Sequence, residues 1–318
     1  MVSVIIPTYK GYSELGRAIE SVLNQSYDDT EIIVVDDNEA DSKERIKTEQ
    51  VMARYLESSR ITYIKHEKNL NGAYARNTGI SVAKGDYIAF LDDDDYYLSE
   101  RINKSVQYLE KHDEYAGVYV GVDSVDFNNN VTLQIRPGEE LKVSQLLIDE
   151  IVIGTGSNIF LRKSILNQVR GFDVSFTRRQ DTEFMIRICE AGRIGFISEL
   201  LIIKCLNGTC NVPSYHKMRA IIEQFCDKFC DEIEQLGNKK KEIYATQYRS
   251  VFRAAIINGS PEDIREAMGL VEKYSPLKKS EKALAFLYIH NLRNRVTVSV
   301  ILDVMKKLVS WRRKLRDH

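Results

Sequence analysis

The 318-residue sequence predicts an α/β domain, a Rossmann-like mixed sheet flanked by helices, over residues 1–212, followed by an all-α extension over 213–318. Three observations carry that reading. A strand, a helix and a second strand follow one another within the first thirty-five residues, which is a βαβ unit with a parallel pair. Three strand ends then bring polar residues to one sheet edge: Pro7-Thr8, Asp36-Asp37, and the run Asp92 to Asp95. From Ser214 onward the apolar pattern is helical, with no clear strand.

Residues 2–6 form a β-branched run stopped by Pro7, after which Thr8, Tyr9, Lys10 and Gly11 open a loop. Leu15, Ala18, Ile19, Val22 and Leu23 recur at spacings of three and four and predict a helix over 13–25. The segment EIIVV, 31–35, is the second strand and ends in Asp36-Asp37-Asn38. A polar helix over 43–56 precedes a third strand at 61–65 and a loop through Asn69, Asn71 and Gly72. A short helix over 73–83 leads into YIAFLDDDD, 87–95, an apolar strand with four carboxylates at its end. A helix over 99–111 and a strand over 115–122 follow. Residues 127–135 around Asn128-Asn129-Asn130 read as a hairpin, so the sheet turns mixed. Residues 151–161 carry Gly154, Thr155, Gly156 and Ser157, small enough for a ligand or another backbone to approach. Asp181 sits at or near the N-cap of a helix whose apolar side holds Phe184, Met185, Ile188 and Cys189. In the extension, Asn258-Gly259-Ser260-Pro261 and Tyr274-Ser275-Pro276 break one helix from the next.

Four adjacent carboxylates have two readings. At the end of a buried strand they can hold a divalent cation that carries a phosphate, or they can form a solvated acidic turn. An EF-hand loop fits poorly, because Tyr97 stands where its sharp turn needs glycine. A formal net charge of -1 gives no whole-molecule attraction to nucleic acid. The start lacks the basic segment and long apolar run of a signal peptide, and no stretch approaches the ~18 apolar residues of a membrane span, so a cytoplasmic protein is expected. Five cysteines in no zinc spacing are expected to be reduced and mostly buried, with Cys226 and Cys230 one turn apart on a helix in the core. Glu183 and Arg187, four residues apart, read as a helix-surface ion pair.

Five blocks, VSVIIPTYKG, EIIVVDDN, NGAYARNTGI, GDYIAFLDDDD, and GFD followed by RRQDTEFMIRI, resemble in order and spacing the family 2 glycosyltransferases, whose catalytic domain has the nucleotide-diphospho-sugar transferase fold called GT-A. The resemblance covers about residues 1–205 and leaves the helical extension unexplained. It implies that Pro7, Thr8, Tyr9 and Asp37 border a nucleobase, with the Asp37 carboxylate accepting from a uracil or thymine imide N–H. Asn71, Gly72 and Arg76 would line the same pocket. Asp94 would be the direct ligand of Mn2+ or Mg2+, with Asp92 as the other end of an Asp-x-Asp motif and Asp92 and Asp93 nearer the ribose and sugar. Asp181 would be the catalytic base. Gly156, Ser157 and Gln180 would lie on the acceptor side, Gln180 standing where the family usually has Glu.

The implied activity is an inverting, metal-dependent transfer from a UDP-sugar, or a dTDP-sugar, to a glycan, glycoprotein or polyprenyl-linked acceptor. Two other readings stand beside it: a nucleotidyltransferase of related fold, for which the single glycine and lysine after the first strand are too few, and a non-catalytic binding subunit of a polysaccharide assembly complex. His216 is either a solvated residue at a helix start or a late metal ligand. Between 296 and 315, Val300, Ile301, Val304, Leu308 and Trp311 share a helical stripe beside a dense run of Lys and Arg. That stretch is either a last packing helix with a basic tail or a peripheral contact with the inner face of the plasma membrane.

Overall fold

The computed structural model describes residues 1–148, 153–206 and 212–289. The chain divides into two compact units, 1–210 and 211–318. In the first, β1 (Val2–Thr8), β2 (Thr30–Asp36), β3 (Ile61–Lys65) and β4 (Tyr87–Phe90) run parallel, linked by α1 (Tyr12–Leu23), α2 (Lys43–Met52) and α3 (Gly72–Val82). β1 is the centre, pairing Val4 with Ile32 on one side and with Ala89 on the other. Its Val2, Val4, Ile5 and Ile6 are fully buried, because a parallel strand covered on both faces has no solvent side to make polar. α1 covers one face through Leu15, Ala18, Ile19 and Val22. α3 covers the other so closely that a Cβ on Gly79 would stand 2.4 Å from Ile5 Cγ2.

Beyond β4 the sheet is mixed, as the shortening connections predict. After β5 (Tyr96–Tyr97) and α4 (Arg101–Lys111) come β6 (Tyr115–Val125), β7 (Val131–Ile135), α5 (Val143–Ile148), β8 (Phe160–Arg162), α6 (Leu166–Val169), α7 (Gln180–Ala191) and β9 (Arg193–Cys205). Among the described residues the strand order is β3-β2-β1-β4-β8-β6-β9-β5, with β7 paired to β6. β8 lies antiparallel between β4 and β6, so its entry turn, Gly156–Asn158, arrives at the edge where β1, β2 and β4 end. That antiparallel insertion builds the far wall of the site.

Two details of the first unit differ most from the sequence expectation. β9 has no counterpart in it, although its 13 residues form the longest strand and pair in parallel with β6 through several register shifts. Glu183 is fully buried, so its pair with Arg187 at 2.5 Å is interior and not superficial, and the guanidinium also holds the Val169 and Gly171 carbonyls.

The described part of the second unit is helical: α8 (Tyr215–Lys228), α9 (Cys230–Gln235), α10 (Lys240–Asn258), α11 (Pro261–Glu272) and α12 (Lys279–Ile289). Tyr215, Ile222, Val251, Phe252, Ile264, Val271 and Leu284 form its core. α11 starts at a capping box in which Ser260 and Asp263 satisfy each other's backbone N–H groups, with Pro261 in the first turn. Cys226 is buried but Cys230 is exposed, because the helix breaks at Phe229 and Cys230 opens the next one. Cys189 and Cys205 are half-buried, and none of these four cysteines forms a disulfide. The expected stripe and basic run of 296–315, including Trp311, lie outside the described residues. No helix among the described residues is long and apolar enough to cross a membrane.

The contact between α3 and β1 sets a test of the packing. Alanine in place of glycine ordinarily gains about 0.5–1 kcal/mol inside a helix. At Gly79 the clash with Ile5 should reverse the sign, and Gly79→Ala is expected to lose about 1–3 kcal/mol in urea unfolding. A variant as stable as the parent would show that Ile5 yields and that the helix is not seated as described.

Candidate active site

The four carboxylates at the end of β4 are not equivalent. Asp92 meets Arg76 Nη2 at 2.6 Å, and its backbone N–H donates to Ser157 Oγ at 2.9 Å. Asp93 lies beside Thr8 and the Tyr9 N–H. Burial pushes its carboxyl up to about 7, those two groups and the charges of Asp94 and Asp92 adjusting the shift, and Oδ2 is buried with no hydrogen-bond partner. Gly11 makes room there, since a Cβ would stand 1.9 Å from that oxygen. Asp94 is pushed up to about 6 by burial and by Asp92, against the nearby charges of Lys204 and Arg17. Arg17 also donates to the Asp94 carbonyl at 2.8 Å. Asp95 is 2% exposed and structural. Its Oδ2 accepts from Thr155 Oγ1 and Ser157 Oγ, each at 2.7 Å, and its Oδ1 from the Cys205 N–H at 3.1 Å. Burial first, then Asp92 and Asp94, still push it up to about 7.

The loop before α3 is built on Asp37. Its Oδ1 accepts from the Leu70 N–H at 2.9 Å and faces His66 Nδ1 at 2.7 Å, while Oδ2 accepts from the Asn71 N–H at 2.9 Å and Asn69 Nδ2 at 3.1 Å. The resemblance gives this carboxylate to a nucleobase. Here both oxygens are already taken by the protein and the residue is 2% exposed, so a base donor would have to share an oxygen that holds the loop. Asp36 is likewise internal, bonded to Tyr63, Asn38 and Arg45. Thr8 is buried under the same edge, whereas Tyr9 is 42% exposed beside it.

Asn71 caps α3, its Oδ1 accepting from the Ala73 and Tyr74 N–H groups, with a backbone φ of 94°. Gly72 opens the helix and Arg76 follows one turn later on the same side. Across the opening α7 begins at Gln180, with Arg179 as its cap at φ 61°, so Asp181 occupies the second helical position and not the cap. The Asp181 carboxylate accepts from the Thr182 N–H at 2.9 Å. The position a Cβ on Gly156 would take lies 3.5 Å from Asp92 Oδ2, 3.6 Å from Arg76 Nη2 and 3.7 Å from Asp181 Cβ. The structure therefore brings Asp92, Arg76, Gly156, Gln180 and Asp181 to one place.

Two residues expected on the acceptor side are turned elsewhere. Ser157 is fully buried, its hydroxyl spent between the Asp92 N–H and Asp95, and the Gln180 amide faces Arg76 and Asn71. His216 lies in α8, 80% exposed, 3.6 Å from Asp263. Sequence reasoning missed Lys204, Arg17 and His66, single residues in segments without a motif, and named Thr155 only among the small residues of 151–161. Among the described residues, no group of three or more His, Cys, Asp or Glu forms a metal cage. Magnesium and manganese commonly take one or two carboxylates and complete their shell with phosphate oxygens and water. Asp94 and Asp92 fit that mode, since burial and mutual repulsion on this shelf are what a cation relieves.

Residues 3–170 match the family described as glycosyl transferase family 2. The amylovoran biosynthesis glycosyltransferase AmsB of Erwinia amylovora is 29% identical over 200 residues, 61% of this chain and 64% of that one. The chain thus spans less than two thirds of that relative's length. The S. aureus TarS fragment 1–349 in complex with UDP-GlcNAc superposes with a TM-score of 0.56 at 16% identity, covering 91% of this chain and 92% of that one. A mannosyltransferase from Pyrobaculum calidifontis, in complex with GDP-Man and Mn2+, gives 0.55 at 17% identity, over 97% and 86%. At such identities the two structures establish the shared GT-A fold.

The raised carboxyls set a pH dependence. A carboxyl that holds its proton more tightly when folded contributes stability below the unfolded value near 3.8, and that contribution is lost as pH rises through about 6 and 7 for Asp94 and for Asp93 and Asp95. Without divalent cation, the melting temperature is expected to fall between pH 5 and pH 8, and Asp95→Asn should flatten that slope by removing one of the titrating groups. Parallel melting curves for parent and variant would show that Asp95 does not titrate in this window.

Proposed function

Because the chain belongs to glycosyl transferase family 2, we propose that this glycosyltransferase moves a sugar, with inversion, from a uridine diphosphate carrier to an acceptor hydroxyl. The observation that carries the reading is the meeting of Asp181 with Asp92 and Arg76 around Gly156. A base and a polar shelf for a leaving diphosphate flank one small opening, as in-line displacement requires. Asp181 takes the proton of the acceptor hydroxyl as its oxygen attacks the anomeric carbon from the face opposite the diphosphate. Arg76, held by Asp92 at 2.6 Å, and Lys204 supply positive charge toward the departing phosphates. Asp94 and Asp92 would hold a Mn2+ or Mg2+ ion, which when bound neutralises charge on the diphosphate. Thr8 and the exposed Tyr9 ring border the place for the base at the end of β1.

The TarS complex with UDP-GlcNAc supports a uridine nucleotide, although a GDP-Man complex shares the fold. The name of AmsB, an amylovoran biosynthesis glycosyltransferase, supports an acceptor in polysaccharide synthesis, and a nucleotide-sugar donor fits a reaction in the cytoplasm or at the inner face of the plasma membrane.

Purified protein incubated with a panel of nucleotide sugars, Mn2+ and an acceptor extract should release nucleoside diphosphate with one donor above the rest. Asp181→Asn is expected to lower kcat by about 10²-fold or more while donor affinity changes little. Asp94→Asn should abolish manganese-dependent binding of uridine diphosphate in a folded protein. Near-normal turnover by the Asp181 variant would overturn its assignment as base. Manganese-dependent binding unchanged in the Asp94 variant would remove that residue from the metal shell.

A further inference from the structure

Gln180 is the residue immediately before Asp181, and all three of its partners discriminate between the two ends of an amide. Its Nε2 donates to the Phe176 carbonyl at 2.7 Å and to Asn71 Oδ1 at 3.3 Å, and its Oε1 accepts from Arg76 Nη1 at 3.2 Å. The orientation follows from the partners alone. A carbonyl can only accept, a guanidinium can only donate, and Asn71 Oδ1 is committed as the acceptor that caps α3. A carboxylate here would satisfy Arg76 but set two further acceptors against its oxygens, with no proton between them.

These bonds join two parts of the chain more than a hundred residues apart. Arg76 continues to Asp92 at 2.6 Å, and Asn71 Nδ2 reaches the Val174 carbonyl at 3.3 Å, so the 172–181 segment is tied to the start of α3 through Gln180 and Val174, while Phe172 exchanges two hydrogen bonds with Asn77 further along that helix. Asp181 is bonded within its own helix turn, through the Thr182 N–H, and its place relative to Asp92 is inherited from where that turn is anchored. We propose that Gln180 is a positioning residue: its neutral amide sets where Asp181 meets the acceptor hydroxyl by locking the start of α7 to Arg76 and Asn71. The inference rests on the reading of Asp181 as the base and adds the reason that an amide precedes it. A displacement of about 1 Å in such a constellation can cost of order 10²-fold in rate.

Gln180→Glu and Gln180→Ala separate this role from mere packing. Both should lower kcat by about 10- to 10²-fold at pH 8, with donor affinity within about threefold of the parent. The deficit of Gln180→Glu should shrink as pH is lowered from 8 to 5.5, because the protonated acid regains a donor for the Phe176 carbonyl while its C=O still accepts from Arg76; the deficit of Gln180→Ala should stay constant. Amide hydrogen exchange of substrate-free protein should be faster at 172–181 and at 69–76 in both variants at pH 8. Parent-like turnover of Gln180→Glu at pH 8, a deficit that does not change with pH, or unchanged exchange in both segments would overturn the proposal. Exchange needs no turnover. A parent protein that transfers no sugar therefore overturns the functional reading, while exchange still judges the tie.

Discussion

Four carboxylates in consecutive positions are the constraint to which the rest of the site answers. At an effective dielectric near 20, two unit charges about 5 Å apart repel by about 3 kcal/mol, so the run cannot remain charged and buried without help. The chain separates the four by giving each a different neighbour. Asp92 goes to Arg76 on α3, Asp93 to the end of β1, and Asp94 to the field of Arg17 and Lys204. Asp95 goes beneath the shelf to Thr155, Ser157 and the end of β9. β1, α3, β9 and the turn Gly156–Asn158 are thereby tied to it, with α7 joined through Gln180 and Arg76.

The backbone bears part of the cost. Both helices that present side chains to the opening are entered through a non-glycine residue with positive φ, Asn71 at 94° before Gly72 and Arg76, and Arg179 at 61° before Gln180 and Asp181. Such conformations cost of order 1–3 kcal/mol each and persist only where surrounding bonds over-determine them. Asp37 supplies those bonds for the first, holding the Leu70 and Asn71 N–H groups from beneath. A carboxylate read as a ligand contact is thus first a loop anchor, and any part it plays toward a base is shared with that task.

The parallel half of the sheet was legible because a strand buried on both faces is written as a nearly continuous apolar run, and residues 2–6, broken only by Ser3, and 32–35 are such runs. β9 was not, because its pairing with β6 shifts register at Tyr115/Gly117 and around Gly121, and Glu199 interrupts its alternation. The site's carboxylates could be named from their order in the chain, and Asp92, Arg76 and Asp181 do meet. Their division of labour could not, since Asp95 is set apart by partners 60 residues or more away, Thr155 and Ser157. Spacing alone also misjudged Glu183 and Arg187, because an i,i+4 pair reads the same on a buried face as on an exposed one.

The wall opposite Asp181 shows how an irregular segment can be as firm as a strand. The turn Gly156–Asn158 makes few ladder bonds of its own, yet Asn158 places its side-chain amide where a strand's backbone would be. Its Oδ1 accepts from the Val120 N–H and its Nδ2 donates to the Val120 carbonyl, both at 2.8 Å, so β6 is paired by a side chain. The same Nδ2 reaches the Ile153 carbonyl. Beneath it the fully buried Arg101 lies over the rings of Tyr97 and Phe160, and the Tyr97 hydroxyl donates to the Phe90 carbonyl at 2.6 Å. Because β6 is satisfied by an amide, the main chain at 155–157 is free to turn its hydroxyls toward Asp95 and leave Gly156 facing Asp92. Gly156 can meet Asp92, Arg76 and Asp181 at that point because a side chain has taken over hydrogen bonds of β6.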